Sequence, residues 1–134
     1  MNTYVQFRVA GEAYAVPARH VVEVAPPAEL TRVPGTRPEL AGVRNMRGTI
    51  LPVIDLAALL GISRTARPGR VLVAEAGEHR AGFEIDEVDA VRVLAEPDAE
   101  TESPLLTGTR LDGGRLIGFL DVPRVFDDFL RSAP

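Results

Sequence analysis

The 134-residue chain contains no cysteine, no lysine and no tryptophan. Without thiols, disulfides, thiolate zinc sites and cysteine nucleophiles are excluded. Without lysine, Schiff-base chemistry and the phosphate-binding ammonium of a P-loop are excluded, and all 15 cationic side chains are arginine. Aromatic residues make up only 5%, and a single-strand nucleic-acid groove needs aromatics on which bases stack. The net charge of −4 lacks the basic excess of a nucleic-acid binder. No apolar run approaches the ~18 residues of a membrane span. The start, Met1 to Arg8, has no basic region leading into an apolar core, so it does not read as a signal peptide. The expectation is a cytoplasmic protein with no nucleic acid among its partners and no direct membrane insertion.

Catalytic patterns are missing as well. Three serines occur, none within Gly-x-Ser-x-Gly, and there is no Gly-x-Gly-x-x-Gly. His20 and His79 are the two histidines and are far apart, so no metal site is expected. Asp127 and Asp128 read as the solvated face of a helix rather than an acid–base pair. The chain therefore reads as a binding protein, with no enzyme activity and no cofactor.

What is present is a mostly β pattern, with hydrophobic residues at 46% and a length suited to one domain over 1–134. Val5, Phe7 and Val9 alternate with Gln6 and Arg8, as in a half-buried strand. Ala10-Gly11-Glu12 turns this strand back on itself. Further hairpins are expected at Ala76-Gly77-Glu78 and at Asp112-Gly113-Gly114-Arg115, with apolar strands at Thr49–Ile54 and Val88–Leu94. Asp55 and Asp121 read as helix N-caps, and Gly61 ends the first of these helices. The second helix carries Pro123 in its first turn and one apolar stripe of Val122, Val125, Phe126, Phe129 and Leu130. Arg64–Gly69 and Glu96–Pro104 read as surface connections.

Two internal matches share one offset. Ala10-Gly11-Glu12 matches Ala76-Gly77-Glu78, and Ile50–Leu56 resembles Leu116–Val122, each 66 residues later. The fold expected is two small five-stranded β-barrels packed together, with a short helix after each capping aspartate and a groove between the halves.

Residues 42–48 stand apart. In a continuous strand Val43, Asn45 and Arg47 would share a face opposite Arg44 and Met46, bracketed by Gly42 and Gly48. Two readings stand at this point. One is a strand edge with exposed polar residues and turn glycines. The other is a partner-binding lip, in which Arg offers a planar set of donors and Asn pairs with backbone.

The segment Gly42-Val43-x-Asn45-x-Arg47-Gly48-x-x-x-Pro52-Val53-x-Asp55-Leu56 resembles the CheW signature at every specified position. The resemblance extends to residues 4–24, with Val21-Val22-Glu23-Val24, to residues 71–94, and to the closing strand and helix at 115–130. It implies two intertwined SH3-like barrels and a non-enzymatic adaptor. Such an adaptor would couple the cytoplasmic tip of methyl-accepting chemoreceptors to the regulatory domain of a CheA-type histidine kinase, with weak self-association into rings. By motif position the resemblance implies that Arg47 is the functional arginine and Glu23 its acidic partner. It places Val21, Gly42, Val43, Asn45, Gly82, Val88 and Val91 near the partner surfaces. The reading from another class is a small-barrel ligand- or nucleic-acid-binding module, against which the low aromatic content and negative charge weigh.

Overall fold

A computed structural model describes residues 1–64 and 66–131. The strands are β1 (Asn2–Val9), β2 (Glu12–Pro17), β3 (Val21–Ala25), β4 (Leu40–Met46) and β5 (Thr49–Asp55), then helix α1 (Leu56–Leu60). They continue as β6 (Arg70–Ala76), β7 (His79–Ile85), β8 (Glu87–Leu94), β9 (Leu106–Asp112) and β10 (Arg115–Leu120), then helix α2 (Val122–Arg131). Two five-stranded sheets result, ordered β8-β1-β2-β10-β9 and β3-β6-β7-β5-β4. The first strands thus pair with the last ones, and the two SH3-like barrels are intertwined along the chain.

The strands shared between barrel interior and barrel–barrel contact are buried on both faces. Tyr4, Ala13, Ala15, Ile117 and Phe119 pack inside one barrel. Leu51, Val53, Val71 and Val73 pack inside the other. The alternate residues of the same strands, among them Val5, Phe7, Tyr14, Val16, Leu72 and Phe83, join Ile54, Leu56, Val122, Val125 and Phe126 in the largest cluster. The alternation of side chains along a strand therefore divides each strand between two cores. This corrects the reading of β1 as half-buried: Gln6 is itself buried, and its amide oxygen accepts from Arg92 Nη1 at 3.0 Å. Phe7, Phe83 and Phe119 are essentially inaccessible, and removing such a ring costs about 3–5 kcal/mol.

Both helix caps form as read. Asp55 Oδ1 accepts from Ala58 N at 3.2 Å, and Asp121 Oδ1 accepts from Arg124 N at 3.2 Å. Gly61 closes α1 in the left-handed region at φ 74°. Along α2, Val122, Val125 and Phe126 are buried, whereas Leu130 is exposed. Arg37 holds the far end of this helix: Nη1 donates to the carbonyls of Asp128 at 3.0 Å and Phe129 at 3.4 Å.

Edge strands β4 and β9 carry the same device. Gly42 and Gly108 sit at bulges with φ 156° and 158°. Beside each, one residue of an incoming loop straps the edge with two backbone hydrogen bonds. Thr31 exchanges them with Val43, both at 2.9 Å, and Ala99 with Thr109 at 3.1 and 2.9 Å. A Cβ on Gly42 would lie 2.8 Å from Thr31 O, and one on Gly108 would lie 2.7 Å from Ala99 O.

Two further readings are corrected. The turns containing Gly11 and Gly77 are not equivalent. Val9 pairs with Glu12 around Ala10-Gly11, whereas Ala76 pairs with His79 around Gly77-Glu78. The structural correspondence at this hairpin is one residue off the sequence match. The Arg64–Gly69 connection is also not simply surface, although Thr65 lies outside the described residues. The Arg64 side chain is only 14% exposed and stands 3.6 Å from the carboxylates of both Asp55 and Asp86. Asp86 in turn accepts from the backbone N–H of Ala10 at 3.0 Å and of Gly11 at 2.8 Å.

Candidate partner-binding site

The tip of the β4–β5 hairpin is built on a strained residue. Strand β4 ends at Met46, which pairs with Thr49 across the two-residue loop Arg47-Gly48. Both loop residues have positive φ, 53° and 85°, the pattern of a type I′ turn. Arg47 is thus in the turn and does not continue the strand face of Val43 and Asn45, contrary to the sequence reading. Glycine suits both loop positions, and a side chain in the left-handed region costs about 1–2 kcal/mol. Asn45 offsets part of that cost: its Oδ1 accepts from Gly48 N at 2.8 Å. The Asn side chain does pair with backbone, but with the backbone of its own turn.

The turn aims Arg47 outward. Its side chain is 75% exposed, and Nη2 meets Glu23 Oε2 on β3 at 2.9 Å, where Glu23 is 25% exposed. The hydrogen bond from Arg47 to Glu23, and then the attraction between their charges, raise the arginine pKa above its ordinary value. The pair spans the seam where the β3 and β4 edges of the barrel approach each other. A shallow depression there is lined by Glu23, Val24, Arg44, Asn45, Met46 and Arg47. Arg44 also crosses the seam, with Nη1 donating to Pro26 O at 3.0 Å. In a continuous strand Arg44 would only face away from Asn45. Nothing local in the sequence could link it to Pro26, a loop residue 18 positions earlier.

The remaining residues separate into surface and scaffold. Val91 on β8 is 66% exposed, and Val93 beside it is exposed too. Val43 is half-buried under the Thr31 strap. Gly42 is buried at the bulge. Gly82 lies inside its barrel, where a Cβ would come within 2.6 Å of Val71 Cγ1. Val21 and Val88 are partly buried and pack on the large core. The structure therefore brings Glu23, Arg47 and Asn45 together at one seam. It leaves Val91 on a separate strand, puts Gly42 and Gly82 beneath the surface and leaves Val21 and Val88 partly buried.

His20 and His79 remain apart: His20 Nδ1 lies 3.0 Å from Glu75 O, and the His79 ring tilts against Phe126. His79 is the first residue of β7. Among the described residues no cluster of metal-ligating side chains occurs. No helix among them is long and apolar enough to cross a membrane.

Residues 3–129 match the family model described as CheW-like domain. A protein of Helicobacter pylori named chemotaxis protein CheW is 31% identical over 91% of this chain and 79% of its own length. A Thermotoga maritima protein of the same name is 30% identical, over 91% of this chain and 85% of its own. The crystal structure of the scaffolding protein TtCheW from Thermoanaerobacter tengcongensis superposes with a TM-score of 0.82 at 27% identity. It covers 90% of this chain and 84% of that one.

Proposed function

Because this chain belongs to the CheW-like domain family, we propose that it is a non-enzymatic scaffold of a chemosensory array. In this role it links the cytoplasmic tip of methyl-accepting chemoreceptors to the regulatory domain of a CheA-type histidine kinase, and it works in the cytoplasm at the membrane-associated array. Weak self-association into rings would follow from partners built on the same barrels. The observation that carries the reading is the family match across 3–129. The fold agrees with it: a packed pair of barrels whose most exposed charged feature at the signature segment is an arginine on a strained turn. Backbone strain of this kind persists where the surroundings enforce it, and it clusters at functional positions.

The mechanism is geometric. Specific interfaces bury roughly 1,600 Å² in total and draw most of their energy from a few apolar and arginine anchors. We assign Arg47 as the anchor at the β3–β4 seam, with Glu23 orienting it and Asn45 holding the turn. Val91 supplies an apolar contact elsewhere. Gly42, Val43, Gly82, Val21 and Val88 shape these surfaces from beneath. We also read the two barrels as repeats of one unit within a single domain, supported by the matching aspartate caps and strapped bulges. The test is a pull-down of a receptor tip and a kinase regulatory domain by the wild type and by Arg47→Ala. Loss of either partner with an unchanged fold is expected, and full recovery of both partners by the variant would overturn the assignment.

A further inference from the structure

Glu23 uses one oxygen on Arg47, while its other oxygen, Oε1, is buried and has no hydrogen-bond partner. A buried acceptor left without a donor is destabilising, the more so when it is charged. In the same depression the Nε–H of Arg44 is also buried and unpaired. The Arg44 guanidinium already reaches across the seam, since Nη1 binds the carbonyl of Pro26, the residue that follows β3. One seam therefore holds a carboxylate with a free acceptor, a half-buried arginine with a free donor, and an exposed arginine.

We propose that Arg44 is the alternative partner of Glu23, so that Arg47 can be handed to an acidic group on a binding partner without leaving a carboxylate stranded in the seam. The proposal rests on the role given above to Arg47 and concerns how that site operates. In the free protein Glu23 holds Arg47 in a defined direction. When a partner carboxylate takes Arg47, Glu23 turns to Arg44 Nε, and both buried orphan atoms become satisfied. Arg44 is a positioning residue in this scheme. Only Arg47 touches the partner.

The exchange is tested on the isolated chain by chemical denaturation of wild type, Arg47→Ala, Arg44→Met and the double variant. Either single change leaves Glu23 one arginine, and the double change leaves none. The double variant should raise the unfolding equilibrium constant about tenfold beyond the product of the two single effects. In a Glu23→Gln background that excess should vanish. Additive effects in the wild-type background, or an excess that survives Glu23→Gln, would overturn the proposal. A second readout is the Arg44 Nε–H resonance in Arg47→Ala, which should shift and exchange more slowly with water as it gains a carboxylate acceptor. An unchanged resonance would count against the exchange. Neither readout involves a binding partner, so a failed pull-down and a failed exchange are distinguishable.

Discussion

The hairpins β4–β5 and β9–β10 end in the same turn with opposite contents. The first turns through Arg47-Gly48 and the second through Gly113-Gly114, all four at positive φ. Each barrel seam is closed by an ion pair near such a turn. At one seam the cation is Arg47 on the turn itself, 2.9 Å from Glu23 on the facing strand. At the other the cation is Arg92 on the strand, 2.7 Å from Asp112 just before the turn, with Gln6 as a second acceptor at 3.0 Å. Arg92 is anchored twice within its own barrel. Arg47 is anchored once and stands in solvent with most of its donors free. At the β8–β9 seam the arginine thus stands on the strand, beside a turn of two glycines. Putting the arginine on the turn adds backbone strain and leaves most of its side chain exposed.

Substitutions test this contrast between the two hairpins. The largest effects should fall where the halves agree. Gly42→Ala and Gly108→Ala each push a methyl into the strapping loop and should each cost about 2–3 kcal/mol in urea denaturation. Unequal costs would mean that only one strap carries its edge. Next comes a transplant of the turn. Gly113→Arg should cost about 1 kcal/mol, because Leu111 stands where the first hairpin has Asn45 and cannot accept from the turn. Adding Leu111→Asn should recover part of the loss, as measured by melting midpoints of the two variants.

A third test uses Glu84, for which two residues beyond Ala15 in the other barrel the chain has Pro17. Glu84 is half-buried, and burial first, then the neighbouring Asp55 carboxylate, raise its pKa above the usual 4.5. A raised carboxyl pKa favours the protonated form in the folded state. The contribution of Glu84 is therefore most favourable below the usual value and is lost as pH rises through the raised one. Glu84→Gln should stabilise the protein at neutral pH, and the gain should shrink on acidification, followed by denaturation across pH. The smallest effect on stability should come from Arg47→Gly. Relief of the left-handed strain should raise the melting midpoint slightly while partner capture is lost, and a lowered midpoint would show that the Glu23 contact outweighs the strain.

Much of the scaffold was readable in the chain because its chemistry is local. An aspartate ahead of Leu56 or Val122 caps a helix whatever lies around it, and Gly61 terminates one for the same reason. The candidate site was readable only in part. The spacing of Val43, Asn45 and Arg47 fits a continuing strand, yet Gly48 was the sign of a two-residue turn beginning one position earlier. The Ala-Gly-Glu match misled because identity of residues does not fix which of them flank a turn. The roles of Arg37, Arg44 and Arg64 were out of reach. Each depends on a carbonyl or carboxylate brought near by the fold, such as Asp128 for Arg37.

The straps across β4 and β9 also bear on how such molecules crowd together. A bare strand edge invites a neighbour to extend the sheet, a contact that grows without limit and releases slowly. Here Thr31 and Ala99 already occupy the middle of those two edges with backbone of the same chain. A copy of the chain brought up against either edge would therefore meet side chains and backbone already paired at its middle, rather than an unfinished sheet.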